Sequence, residues 1–110
     1  MTEVIKKEIE LDNGTILFTY NEEITSACIM EVEAGTNGYK GGDTGHGSRT
    51  YFRIEDLGGT DITVNKIPNN HGGNGGLEVI LGGDCELQSM IEALKFITQV
   101  LEDGANDRNY

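Results

Sequence analysis

Residues 4–20, VIKKEIELDNGTILFTY, decide the fold class. In 4–11, Ile5, Lys7, Ile9 and Leu11 fall on one face and Lys6, Glu8 and Glu10 on the other; in 15–20, Ile16, Phe18 and Tyr20 fall together. A two-residue period of this kind is that of a half-buried strand. Between the runs, Asp12-Asn13-Gly14 supplies the positive φ values that a tight hairpin turn needs. Strands joined by so short a turn run antiparallel. The stretch therefore predicts an antiparallel sheet built from hairpins.

Working outward, residues 24–34 alternate again and predict a third strand, with Ile24, Ser26, Cys28, Met30 and Val32 on one side. Residues 50–57 place Phe52 and Ile54 inward and Tyr51, Arg53 and Glu55 outward. Residues 61–67 place Ile62 and Val64 inward, and Gly58-Gly59-Thr60 is read as the turn joining these two strands. Residues 77–81 make a sixth, short strand. One helix is predicted from Gly83-Asp84 to about Asp103, with Asp84 as N-cap, Glu86 near the positive end of the dipole and Gly104 as its stop. Leu87, Met90, Ile91, Leu94, Ile97 and Leu101 recur at three- and four-residue steps as the core-facing stripe. The expected fold is α+β: an antiparallel sheet of about six strands with one C-terminal α-helix packed on it. It occupies residues 1–104 as a single domain, with a frayed tail at 105–110. A helix about 10 to 12 Å across cannot cover six strands spaced about 4.8 Å apart, so the sheet must curl or use a second chain, and a homo-oligomer is expected.

The whole chain of 110 residues carries 19 acidic and 8 basic side chains, a net charge of −11. Such a protein repels phosphate backbones, which argues against direct nucleic-acid contact and against anionic membranes. No apolar run approaches the about 20 residues of a membrane-spanning helix. The opening MTEVIKKEIE puts charges where a signal peptide would carry its apolar core, so a cytoplasmic location is expected. Cys28 and Cys85 fit no metal spacing and are too few for a disulfide framework.

Chemistry is sought in the glycine-rich segment 34–50, AGTNGYKGGDTGHGSRT. Six glycines fall between Gly35 and Gly47, and small residues alternate there with polar ones. Glycine lets backbone N–H groups approach an anion, and Lys40, Thr44, His46, Ser48 and Arg49 are donor types that complete a phosphate or carboxylate cradle. Charge is also uneven. Residues 40–66 carry four cations, Lys40, Arg49, Arg53 and Lys66, against four acids, whereas the flanking stretches are strongly acidic. The segment ends in a strand rather than a helix and lacks the Gly-Lys-Thr/Ser ending, so it is neither a Walker motif nor a dinucleotide-binding fingerprint.

These features lead to a non-catalytic binding protein holding a small anionic ligand, a nucleotide among the possibilities. Tyr39, Lys40, Thr44, His46, Ser48, Arg49, Tyr51 and Arg53 form the ligand set, with Tyr39 or Tyr51 stacking on a base. No cofactor is implied. A different class of reading is an acidic inhibitor that blocks a basic protein partner through rows of carboxylates, Glu3, Glu8, Glu10, Glu22, Glu23, Glu31 and Glu33. In size and acidity the chain resembles small phage-encoded inhibitors of bacterial defence, anti-CRISPR proteins among them; the resemblance is one of composition and covers no motif. A third reading is a metal-assisted hydrolase using Asp43 and His46, with His71, Asp61 or Asp84 as further ligands, or Ser48 as nucleophile.

Overall fold

In the computed structural model, residues 4–25, 28–40, 47–59, 61–68 and 75–106 are described. The elements are β1 (Ile5–Glu10), β2 (Ile16–Ile24), β3 (Ile29–Thr36), β4 (Thr50–Gly58), β5 (Ile62–Ile67), β6 (Gly76–Leu81) and α1 (Asp84–Asn106). All strand pairs are antiparallel, and the α+β expectation holds. The six strands form two sheets, one of four in the order β1-β2-β3-β4 and one of two, β5-β6. Among the described residues no helix is long and apolar enough to cross a membrane.

The β1-β2 hairpin forms as its turn requires. Gly14 has φ 87°, its N–H donates to the Leu11 carbonyl, and Asn13 Oδ1 accepts from the Thr15 N–H. Two expectations about strand limits fail. Residues 24–34 are not one strand, because Ile24 closes β2 opposite Met30 and β3 begins at Ile29. The chain reverses here without glycine or proline, so no local signal marks the turn. Gly58 and Gly59 do have positive φ, but they join strands of different sheets: β4 pairs with β3, and β5 with β6.

The register fixes two faces. On one, Ile24, Met30, Val32 and Ala34 are buried against Ala93 and Ile97 of α1, with Ile54, Leu81, Met90, Phe96, Val100 and Leu101 packed around them. The helix lies along β3. Its first turns meet Cys28, whose Sγ–H donates to Ser89 Oγ at 3.2 Å, and its last turn meets Thr36 and Gly38. A Cβ on Gly38 would stand 2.9 Å from the Gly104 carbonyl oxygen, and Gly38 has φ 80°, so glycine is required there on both counts. Ile16, Phe18 and Tyr20 share this helix-side face but lie beyond the helix and are exposed, as is Phe52. Lys6 Nζ sits 4.6 Å above the Phe18 ring, a cation–π contact that partly shields it.

The other face buries Leu17, Thr19 and Asn21 of β2 and Glu33 of β3 with no helix above them. Residues of both sheet edges, Ile9 and Glu10 on β1 and Tyr51 on β4, line one cleft on this side, so the edges curl toward each other across β2 and β3.

The helix also differs from expectation. Leu87 N–H donates to the Gly83 carbonyl, which makes Gly83 the N-cap and Asp84 the first helical residue. Gly83 has φ 123°, and the carboxylate of Glu86 folds back against it. Glu86 is itself buried, and its Oε2 accepts from the Asp61 N–H at 3.1 Å, tying the base of β5 to the helix. The helix continues past Gly104 to Asn106; residues 107–110 lie outside the described residues. Of the expected stripe only Ile97 is fully buried, Met90 and Leu101 are partly packed, and Leu87, Ile91 and Leu94 are exposed. The buried line runs instead through Glu86, Ser89, Ala93 and Ile97. Small residues let the helix sit close to β3.

Ile97→Ala removes a side chain only 6% exposed and should lower stability by about 2 to 5 kcal/mol. Ile16→Ala, at a half-exposed site on the uncovered end of the same sheet face, should change it by less than about 0.5 kcal/mol. Urea denaturation of the two variants beside the parent checks the pair.

Candidate functional site

Asn37 organises the ends of the glycine-rich segment. Its N–H donates to the Arg49 carbonyl at 3.2 Å, its Nδ2 donates to the Gly47 carbonyl at 3.3 Å, and its Oδ1 accepts the Arg49 N–H at 2.7 Å. Thr36 adds a second clamp, its hydroxyl donating to the Arg49 carbonyl at 3.0 Å and accepting from the Gly38 N–H. Lys40 and Gly47 are thereby drawn together, so that a Cβ on Gly47 would stand 3.1 Å from Lys40 Cβ. Residues 41–46, between these closed ends, lie outside the described residues. Thr44 and His46 of the expected ligand set, and Asp43 and His46 of the expected metal set, fall there; His71 lies outside as well. Among the described residues no cluster of three His, Cys, Asp or Glu side chains is placed to hold a metal.

Four of the six remaining ligand candidates divide between two clefts. Arg49 and Tyr51 line an open cleft of about 660 Å³ with Ile9, Glu10, Leu11, Asp12 and Asn13 of the β1-β2 hairpin. Tyr39 and Ser48 line a smaller cleft of about 250 Å³ with Thr36, Gly38 and Thr50 and, from the end of α1, Leu101, Glu102 and Ala105. Between Ser48 and Arg49 the split follows from the strand period: neighbours along an extended chain point to opposite sides. Arg49 Nη1 donates to the Ser48 carbonyl at 2.9 Å, which holds the side chain across its own backbone. Lys40 and Tyr39 are exposed.

Arg53 lines neither of these clefts. It stands opposite Glu33 in the β3-β4 register, and Glu33 stands opposite Asn21 across β2-β3. Arg53 Nη2 donates to Glu31 and, at 3.0 Å, to Glu33; Nη1 donates to Glu55 at 2.5 Å. Thr19 Oγ1 donates to Glu33 Oε2 at 2.6 Å and Asn21 Nδ2 to Glu33 Oε1 at 3.2 Å. Three carboxylates therefore surround one guanidinium. Burial pushes the Glu33 carboxyl up, but the hydrogen bonds from Thr19, Arg53 and Asn21 together outweigh it and hold the group below its ordinary value. Glu31 is held low chiefly by its hydrogen bond from Arg53, and the Arg53 guanidinium is held more firmly charged by Glu31 and Glu33.

This network also breaks the expected carboxylate rows. Glu31 and Glu33 are turned onto Arg53, and Glu22, half-buried, is raised in pKa by burial and then by Glu92 on α1. Glu8, Glu10 and Glu23 are exposed; Glu3 lies outside the described residues. Cys28 is buried and Cys85 exposed, both as free thiols.

Asn37, Asn13 and the hairpin residues Ile9 to Asp12 were not among the sequence candidates. The Asn37-Gly38 and Asn13-Gly14 pairs are the cue that could have found the first two, since asparagine before a positive-φ glycine commonly bonds nearby backbone. Nothing local marks Ile9 or Glu10 as cleft walls, because that depends on the curl of the sheet. Comparison with protein-family models, with curated proteins and with solved structures found no match to this chain.

Glu33→Gln should reshape the acid limb of the stability curve. In the folded chain Glu31 and Glu33 lie below the ordinary 4.5, so the unfolded chain binds more protons there and stability falls as pH drops from about 4.5 through the lower folded values. The variant should show a shallower loss over that window. Glu22 lies above 4.5 and has the opposite sign, so Glu22→Gln should raise stability at pH 7 by about 0.5 kcal/mol. Arg53→Met, which leaves buried Glu33 without its cation, should lower it by about 2 to 3 kcal/mol, at and just below the low end of the about 3 to 5 kcal/mol for a broken buried pair because Arg53 is partly exposed. Thermal melts from pH 3 to 7 report all three.

Proposed function

We propose that this chain is a non-catalytic binding protein for a small molecule bearing one anionic group, a nucleoside monophosphate being the first case to try, held in the cleft between the β1-β2 hairpin and the start of β4. The observation that carries the reading is the juxtaposition of Arg49 and Tyr51 on the wall of an open cleft of about 660 Å³, within the size range of small-molecule sites. Arg49 offers a planar fork of N–H donors to a phosphate or carboxylate, and Tyr51 offers an aromatic face to a ring. The facing wall carries Glu10, Asp12 and Asn13. Two carboxylates there repel a second anionic group and suit hydroxyls or ring N–H donors, so the ligand has one charged end and an otherwise polar body.

The Asn37 clamp supports the same reading. It fixes the backbone of Arg49 from both sides, so little ordering is left to be done on binding. Arg49 lines the cleft and Arg53 does not, so Arg49 is the guanidinium the proposal assigns to the ligand.

A calorimetric screen of nucleoside monophosphates, cyclic dinucleotides, sugar phosphates and carboxylates tests the proposal. At least one should bind and raise the melting temperature. Arg49→Ala should weaken that binding by about 10- to 100-fold, the loss expected for one charge-assisted contact, without unfolding the protein, and Tyr51→Leu should weaken ring-bearing ligands more than sugar phosphates. If no compound shifts the melt at millimolar concentration, the cleft is a protein contact and the blocking of a basic partner becomes the better reading.

A further inference from the structure

The β5-β6 hairpin stands away from the core. Its rungs Ile62 with Leu81, Val64 with Val79 and Lys66 with Leu77 point to one side. Leu81 packs on the core, whereas Val64 is 64% and Leu77 60% exposed. An apolar ladder thus leaves the core and runs outward uncovered. A two-stranded hairpin by itself is marginal in water. Its base is nonetheless firmly seated, with Asp61 N–H donating to Glu86 and the Asp61 carbonyl accepting from the Gly82 N–H. Immediately beyond Gly83, α1 carries the uncovered row Leu87, Ile91 and Leu94, at the four- and three-residue steps of one helical face.

Whole-molecule quantities agree. The radius of gyration is 15.6 Å, where a compact chain of this length has about 13 Å. The surface is 7608 Å², where a compact monomer of 11.9 kDa exposes about 6,000 Å². Apolar side chains of the kind a standard interface of roughly 800 Å² per partner is built on stand exposed on both elements, Val64 and Leu77 on the arm and Leu87, Ile91 and Leu94 on the helix. An arm packed only on another arm would cover one such ladder per chain, and would leave the Leu87, Ile91 and Leu94 row bare.

We propose that two copies of this chain form a two-fold dimer in which the β5-β6 arm of each lies across the Leu87, Ile91 and Leu94 row of its partner. The exchange buries both apolar surfaces of both chains and closes on itself, as an isologous pair must. Charge supports the arrangement: the face of the arm that carries Val64 also carries Lys66, with Glu78 on the other side of the hairpin, and the exposed acids of the helix, Asp84, Glu102 and Asp103, outnumber its one cation, Lys95. The opposite edge of the four-stranded sheet, with Phe18 under Lys6, takes no part.

Sedimentation equilibrium of the full chain at 1 to 100 µM should give twice the 11.9 kDa chain mass. Val64→Glu on the arm and Leu94→Glu on the helix change exposed side chains, so each should keep the circular dichroism spectrum of a folded chain. Each should also weaken the dimer by about a hundredfold or more, because it buries an unpaired charge. Phe18→Glu should leave the dimer intact. A chain monomeric at 100 µM overturns the proposal, and so does a dimer indifferent to both Val64→Glu and Leu94→Glu or broken by Phe18→Glu. A dimer that Val64→Glu breaks and Leu94→Glu spares overturns the arm-on-helix arrangement in favour of arm on arm.

Discussion

Met30, Val32 and Ala34 of β3 meet Ala93 and Ile97 of α1 along nearly the whole length of the strand, and that single line of contact sets what the rest of the chain must do. A helix about 10 Å wide covers about two strand spacings of about 4.8 Å. The close approach made possible by Ala34, Ala93 and the glycines at 38 and 104 centres the helix on β3 and leaves the β2 residues Ile16, Phe18 and Tyr20 outside it. The opposite face has no helix at all. Its middle is filled by polar groups that satisfy one another, Thr19, Asn21, Glu33 and Arg53, and among the described residues no buried side-chain polar atom lacks a partner.

Much of the fold was legible because local signals and global structure agree. Asn13-Gly14 with alternation on both sides leaves one interpretation, and apolar residues at three- and four-residue steps over 87–101 read as one helix. The rest was not local. Leu87, Ile91 and Leu94 are as apolar as Ile97, and period alone cannot say which side of a helix with two apolar rows meets the sheet. The turn after Ile24 has no glycine or proline to announce it. Gly58-Gly59 supplies the positive φ of a tight turn whether the flanking strands pair or part, and here they part.

The site was half legible for the same reason. Glycine density and the cations of 40–66 singled out a stretch of which two members, Arg49 and Tyr51, do share a cleft wall. Ser48 faces the other side from Arg49 because consecutive extended residues alternate, a rule the sequence already contained, whereas Tyr39 is set by the positive φ of Gly38 before it. Arg53 entered the expected ligand set as one of the cations of 40–66, and the sequence does not show what it faces. Once β3 and β4 are in register, Arg53 stands opposite Glu33, and a cation facing a buried carboxylate has its charge spoken for.

That pairing also explains why an acidic protein of modest core holds one register. A slip of one residue between β3 and β4 would carry Arg53 from the polar face to the side where Val32, Ala34 and Ile97 are packed, and would leave Glu33 buried with its hydrogen bonds from Thr19 and Asn21 but without its cation. Breaking a buried charge pair is far more unfavourable than the pair itself is favourable. The network therefore discriminates between registers more than it adds to stability. Its consequence reaches the cleft: Arg49 and Tyr51 lie four and two residues before Arg53 on the same extended segment, so the register that satisfies Glu33 is the one that sets Arg49 beside Asn37 and Tyr51 across from Ile9.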